Sequence, residues 1–82
     1  MADPAPGSFG AHVRGLRVAR GLKQEELAER CELHVDTIKG MERNTFEPSL
    51  RTLRKLAKGL GGLSLSQLFQ GYEQDGLREA RQ

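Results

Sequence analysis

The sequence predicts an all-α fold, a compact domain of five helices. Apolar residues recur at helical spacing in five short stretches, and capping residues and glycines punctuate those stretches. No run alternates with period two, since the valines at 13, 18 and 35 are scattered, so no strand is expected. With 82 residues and 9.1 kDa the chain holds one small domain. A content of 37% hydrophobic and 29% charged residues is that of a soluble fold rather than a disordered one.

Residues 1–7, with two prolines and a glycine, read as a loose tail. The domain is expected over 8–72. Its first helix carries Phe9, Val13 and Leu16 on one face, with Ser8 as N-cap and Gly21 as stop. A second, about two turns long, begins near Gln24 and buries Leu27, Ala28 and Cys31; Glu25 and Glu26 in its first turn suit the helix dipole. Leu33, Ile38 and Met41 form the third apolar set. Asn44 to Pro48 is a loop, and Ser49 caps the clearest helix, with Leu50, Leu53, Leu56, Ala57 and Leu60 on one stripe and Gly59, Gly61 and Gly62 at its end. Ser64 and Gln67 make a capping box for the last helix, which continues through Leu65, Leu68, Phe69 and Tyr72. Residues 73–82 are polar apart from Leu77 and extend or fray from that helix.

Composition excludes several kinds of function. No apolar run reaches the roughly 18 residues of a membrane span, and the first eight residues show no signal peptide, so neither membrane nor export is expected. A single Cys31 forms no internal disulfide and fits a reducing cytoplasm. With Cys31, His12 and His34 as its soft ligands, the chain is expected to bind no metal; Cys31 reads as core and His12 as solvated surface. No nucleophile–base or carboxylate pair stands at meaningful spacing, so neither enzyme activity, cofactor nor small-molecule ligand is expected. The formal charge is +2, unevenly placed: +3 over 1–23, −4 over 24–48 and +3 over 49–82.

Two short helices joined by a tight turn suggest a helix-turn-helix. The stretch from Arg20 to Leu60, with "GLKQEELA", "TIKGMER" and "PSLRTLRKLAKGL" in order, followed by "LSLSQLF", resembles the Cro-like, phage-repressor-like family of XRE-type regulators. The resemblance covers about 60 residues, Phe9 to Phe69. It implies double-stranded DNA as partner. It places Gln24 at a DNA phosphate, bracing the third helix, and makes Arg17 and Glu42 a buried ion pair. It turns His34, Val35, Asp36, Thr37 and Gly40 toward base edges, with Lys39 and Arg43 nearer the backbone and Arg51 at a phosphate.

Elementary physics agrees. A helix fits the B-DNA major groove and leads with its N-terminal residues. His34 suits guanine, Val35 a thymine methyl and Asp36 a cytosine amine.

This chain departs from the family pattern at five places. Lys23 stands where a small polar cap is usual, which forgoes about 1 kcal/mol and frees the lysine for a phosphate. Glu32 and Asn44 replace turn glycines, at about 1 kcal/mol for Glu32 if its φ is positive. Gly40 lacks a reading side chain, and Asp36 repels phosphates unless a cytosine compensates it.

The function expected is a sequence-specific regulator, Cro-like or of the restriction–modification controller type, acting as a homodimer on a pseudo-palindromic operator. The apolar surplus at Leu65, Leu68, Phe69 and Tyr72 is expected to build the dimer seam. The alternative is an antitoxin or adaptor whose main partner is another protein.

Overall fold

Ser8 starts the first helix by accepting a hydrogen bond from the Ala11 N–H at its hydroxyl, and α1 then runs Phe9–Ala19 before Gly21 turns the chain at a positive φ of 69°. The structure is a computed structural model that describes residues 7–72; the two expected tails otherwise lie outside that range, Leu77 included. Helix α2 is Gln24–Cys31, α3 Val35–Glu42, α4 Leu50–Gly59 and α5 Leu65–Phe69. The described residues contain these five helices and no strand, as the periodicity predicts.

The caps follow side-chain chemistry. Ser49 accepts from the Thr52 N–H, and Ser64 and Gln67 form their reciprocal box. Lys23 has no acceptor to offer α2, yet its own N–H donates to the Glu26 carboxylate at 2.7 Å, so half of a capping box survives. Helix α2 closes at Glu32, whose φ of 58° is left-handed. There the Leu33 N–H reaches the Ala28 carbonyl at 2.9 Å, and Leu33 folds back against the core, a Schellman turn.

Helices α2 and α4 pack together, α3 lies on both α1 and α2, and α5 closes on α4. Val13, Leu27, Ile38, Met41, Leu56, Leu60 and Leu68 meet at the centre, fully buried. Each such side chain contributes about 1.5–3 kcal/mol. Helices of five to eleven residues are marginal alone, so this shared core is what makes them helices.

Three expectations need correction. Leu50, expected in the α4 stripe, is 52% exposed, because it sits in the first turn, before α4 reaches the core. Gly59 is the last residue of α4, as expected, and is also buried: a Cβ there would strike the Cys31 sulfur, so glycine at 59 sets the close approach of α2 and α4. Helix α5 stops at Phe69, and Tyr72 follows a turn through Gly71 at φ 88°. His12 is half-buried rather than solvated: its Nε2 lies 2.6 Å from the Leu68 carbonyl, and its ring packs on Tyr72 at 5.3 Å between centroids.

Cys31 is core, as expected. Burial pushes its thiol up to about 11, partly offset by a backbone hydrogen bond from Gly59, so the sulfur stays protonated and unreactive.

Two of the helical glycines, Gly59 and Gly15, make a paired expectation. Gly59→Ala should lower stability by about 1–3 kcal/mol through overpacking. Gly15→Ala, where a Cβ meets open space, should raise it by about 0.5–1 kcal/mol. Urea unfolding of both variants checks the contrast.

Candidate nucleic-acid interface

The site begins with a carboxylate. Glu42, in the last turn of α3, is 5% exposed at its side chain and faces the Arg17 guanidinium of α1, itself 12% exposed. Arg17 Nε donates to Oε2 at 2.7 Å and Nη2 to Oε1 at 3.1 Å, a bidentate pair. Gln24, the first residue of α2, adds a hydrogen bond from Nε2 to the same Oε1 at 3.2 Å. Arg17 Nη1 also donates to the Leu22 carbonyl, satisfying the loop before α2. One charge thus sets the relative placement of α1, α2 and α3, and the ion pair predicted from the sequence is present.

The opposite end of α3 is built by its turn. His34 is the N-cap: its Nδ1 accepts from the Asp36 N–H at 3.0 Å. Ile38 and Met41 lock the inner face of α3 to the core, which leaves His34, Asp36 and Arg43 exposed and Thr37 and Lys39 half-exposed on the outer face. Val35 is half-buried and rests against the core, so part of its surface remains outward. Gly40 does not read as expected. A Cβ at Gly40 would lie 2.7 Å from the Phe46 ring, so the loop after α3 already covers that direction. The glycine is a seat for Phe46 rather than a gap left for a base.

The C-terminal end of α3 is closed by Asn44 in the left-handed region, φ 60°. Thr45 donates twice to the Gly40 carbonyl, from its N–H at 3.0 Å and its hydroxyl at 3.1 Å. Asn44 then reaches back to α1, accepting from the Gly10 N–H at 2.8 Å and donating to the Ser8 hydroxyl at 3.1 Å. Gly10 permits this because a Cβ there would collide with the Glu42 carbonyl. Sequence reasoning passed over Asn44 as a tether, Gly10, Phe46 and the capping role of His34. An asparagine at a helix end was the one usable signal among them.

The cations divide into two groups. Arg17 is committed to Glu42, and Arg20 to the Leu60 carbonyl at 2.7 Å, so neither stands free for a phosphate. Lys23, Arg43 and Arg51 are exposed and Lys39 half-exposed. Among the described residues, no group of three His, Cys, Asp or Glu could hold a metal ion, and no helix is long and apolar enough to cross a membrane.

The expected dimer residues separate as well. Leu68 is wholly buried in its own chain and has no surface to offer a partner, which corrects its assignment. Leu65 is half-buried against the core. Phe69 and Tyr72 pack on Phe9, at 5.7 and 5.6 Å between ring centroids, yet Phe69 keeps 37% of its surface exposed. Beside them Phe9, Phe46, Pro48, Leu53, Phe69 and Tyr72 line an open groove of about 610 Å³.

Two helices joined across Glu32–His34, the second held by its inner face and bare on its outer one, define a helix-turn-helix domain. A helix-turn-helix family profile matches residues 13–68. The chain belongs to that family, in its XRE-type branch of DNA-binding transcriptional regulators, which is not a family of enzymes. Control protein C.BamHI of Bacillus amyloliquefaciens is 41% identical over 54 residues, 65% of this chain and 67% of that protein. The cryptic phage CTXphi transcriptional repressor RstR of Vibrio cholerae is 42% identical over 53 residues, 65% of this chain and 48% of its own, so the match spans about half of that relative. The crystal structure of the restriction-modification controller protein C.AhdI from Aeromonas hydrophila superposes with a TM-score of 0.69 at 39% identity, covering 74% of this chain and 91% of that one.

Removing one partner of the buried pair isolates what it does. Arg17→Ala should cost about 3–5 kcal/mol in urea unfolding, because Glu42 is left charged and buried. Replacing both by methionine should cost much less than that single change.

Proposed function

We propose that this chain is a sequence-specific transcriptional regulator of the controller type, acting as a homodimer on a pseudo-palindromic operator with α3 in the major groove. The observation that carries this is the outer face of α3: a helix fixed by Glu42, Ile38 and Met41 leaves its polar N-terminal turn bare, with Lys39 and Arg43 beside it. Base contacts fall to His34, Asp36, Thr37 and the exposed part of Val35. Gln24, Lys23, Lys39, Arg43 and Arg51 take phosphates, and the N-terminus of α2 adds its dipole. The names of the relatives, a control protein and a controller protein, support the same reading. The cytoplasm is the compartment that goes with it.

The dimer seam moves from the inner residues of α5 to the groove. Phe46, Leu50 and Phe69 are exposed apolar side chains, and Phe46 and Phe69 line the groove itself. A second copy seated there by two-fold symmetry would set two recognition helices about 34 Å apart, one turn of DNA.

The acidic outer surface of α2, where Glu25, Glu26, Glu29 and Glu32 are exposed, supports the alternative of a protein-binding adaptor. Salt dependence separates the two. Lys23, Lys39, Arg43 and Arg51 from each protomer give about eight charged phosphate contacts, so the log–log slope of affinity against salt should be near −7. A slope near zero favours the adaptor.

Assembly is checked by sedimentation of the free protein at micromolar concentration. The wild type should run as a dimer and Phe69→Arg as a folded monomer. A dimeric variant would remove Phe69 from the seam.

A further inference from the structure

His34 does two things with one ring, and the first constrains the second. Its Nδ1 accepts the Asp36 N–H at 3.0 Å, closing the first turn of α3. In the neutral ring an accepting Nδ1 leaves the proton on Nε2. The Asp36 carboxylate lies beside the ring, with Oδ2 3.6 Å from Nδ1. The tautomer with hydrogen on Nδ1 alone would oppose that N–H to the Asp36 N–H. With Nδ1 accepting, the ring proton sits on Nε2, which is therefore a donor.

Asp36 is the complement. Ionised, it only accepts, and its side chain is 80% exposed beside a His34 side chain that is 72% exposed. The first turn of the recognition helix thus carries one donor and one acceptor side by side. An acidic group there repels phosphates, so the backbone of DNA is a poor match for the pair.

We infer that His34 and Asp36 together read a single G·C pair, His34 Nε2–H donating to the guanine O6/N7 edge and the Asp36 carboxylate accepting from the cytosine N4 amine. This deepens the operator-binding reading and rests on it. A G·C pair places the guanine acceptors next to the cytosine amine in the major groove. Adenine also sets an acceptor, N7, beside an amine, N6. Its amine, however, lies between N7 and the thymine O4, two acceptors that oppose a carboxylate; the cytosine amine has an acceptor on one side only. The same geometry explains why an acidic residue is tolerated at the leading end of α3: its cost at phosphates is offset at one base.

The test selects bound duplexes from a random pool with the full chain, as wild type, His34→Ser and Asp36→Ser. Serine at 34 keeps a capping oxygen, so folding and reading are separated, and urea unfolding of each variant verifies that the fold is retained. The wild type should enrich one G·C pair at a fixed place in each half-site. Both substitutions should relax discrimination at that same pair by about tenfold or more and leave the other positions unchanged. Measuring the wild type against all four base pairs at that place keeps the test valid if a variant fails to fold. Relaxation at two different pairs, unchanged profiles, or an A·T pair at that place would overturn the joint reading while leaving operator binding intact. A wild type that enriches no site would overturn operator binding itself.

Discussion

The Glu42 carboxylate is the constraint on which the rest of the domain depends. It lies on α3 and receives donors from α1 and α2 at distances of 2.7 to 3.2 Å, so three helices share one anchor. The core supplies most of the stability, but apolar packing of short helices tolerates small rotations and slides. A buried, bidentate charge with a third donor does not, because each displacement leaves a lone pair unsatisfied in a dry site. Its value here is geometric: it sets the angle at which α3 leaves the body of the protein.

The turns on either side of α3 complete what Glu42 begins. Glu32 and Asn44 both adopt left-handed backbone, and each costs something that glycine would not. Asn44 returns the cost by bonding Gly10 and Ser8 at the start of α1, so the end of the recognition helix is tied to the first turn of the chain's first helix. Glu32 makes no such return, and its compensation is the Leu33 side chain folded against the core. The two turns that flank α3 are therefore offset by different means, one polar and one apolar, with the His34 cap added at the N-terminal end.

Much of this was legible in the residues. Helical spacing located all five helices, and Ser8, Ser49 and the Ser64–Gln67 box marked three starts correctly, because caps act through neighbours three residues away. The Arg17–Glu42 pair came from motif resemblance, since 25 residues separate the partners. What escaped depends on approach between distant segments. Periodicity says which face of α4 is apolar but not where contact begins, hence Leu50. It does not reveal that the glycine ending α4 is also pressed against a sulfur, hence Gly59. His12 looked solvated because its partner, the Leu68 carbonyl, lies 56 residues away. Leu68 itself was misassigned for the same reason: an apolar surplus in sequence is not an apolar surface in space. The polar character of the α3 face was visible, whereas the covering of Gly40 by Phe46 was not.

That covering joins two properties usually thought of as separable. Phe46 rests on the recognition helix at Gly40 and also lines the apolar groove beside Phe69 and Leu53. Retargeting such a domain to a new operator is ordinarily a matter of exchanging side chains along its reading helix. Here any larger residue at position 40 evicts an aromatic ring from its place, and that ring is part of the groove wall. Evolution toward a different target at this position must therefore revise the groove at the same time, so the repertoire of sites open to this lineage by single substitutions is narrower than the exposed surface of α3 suggests.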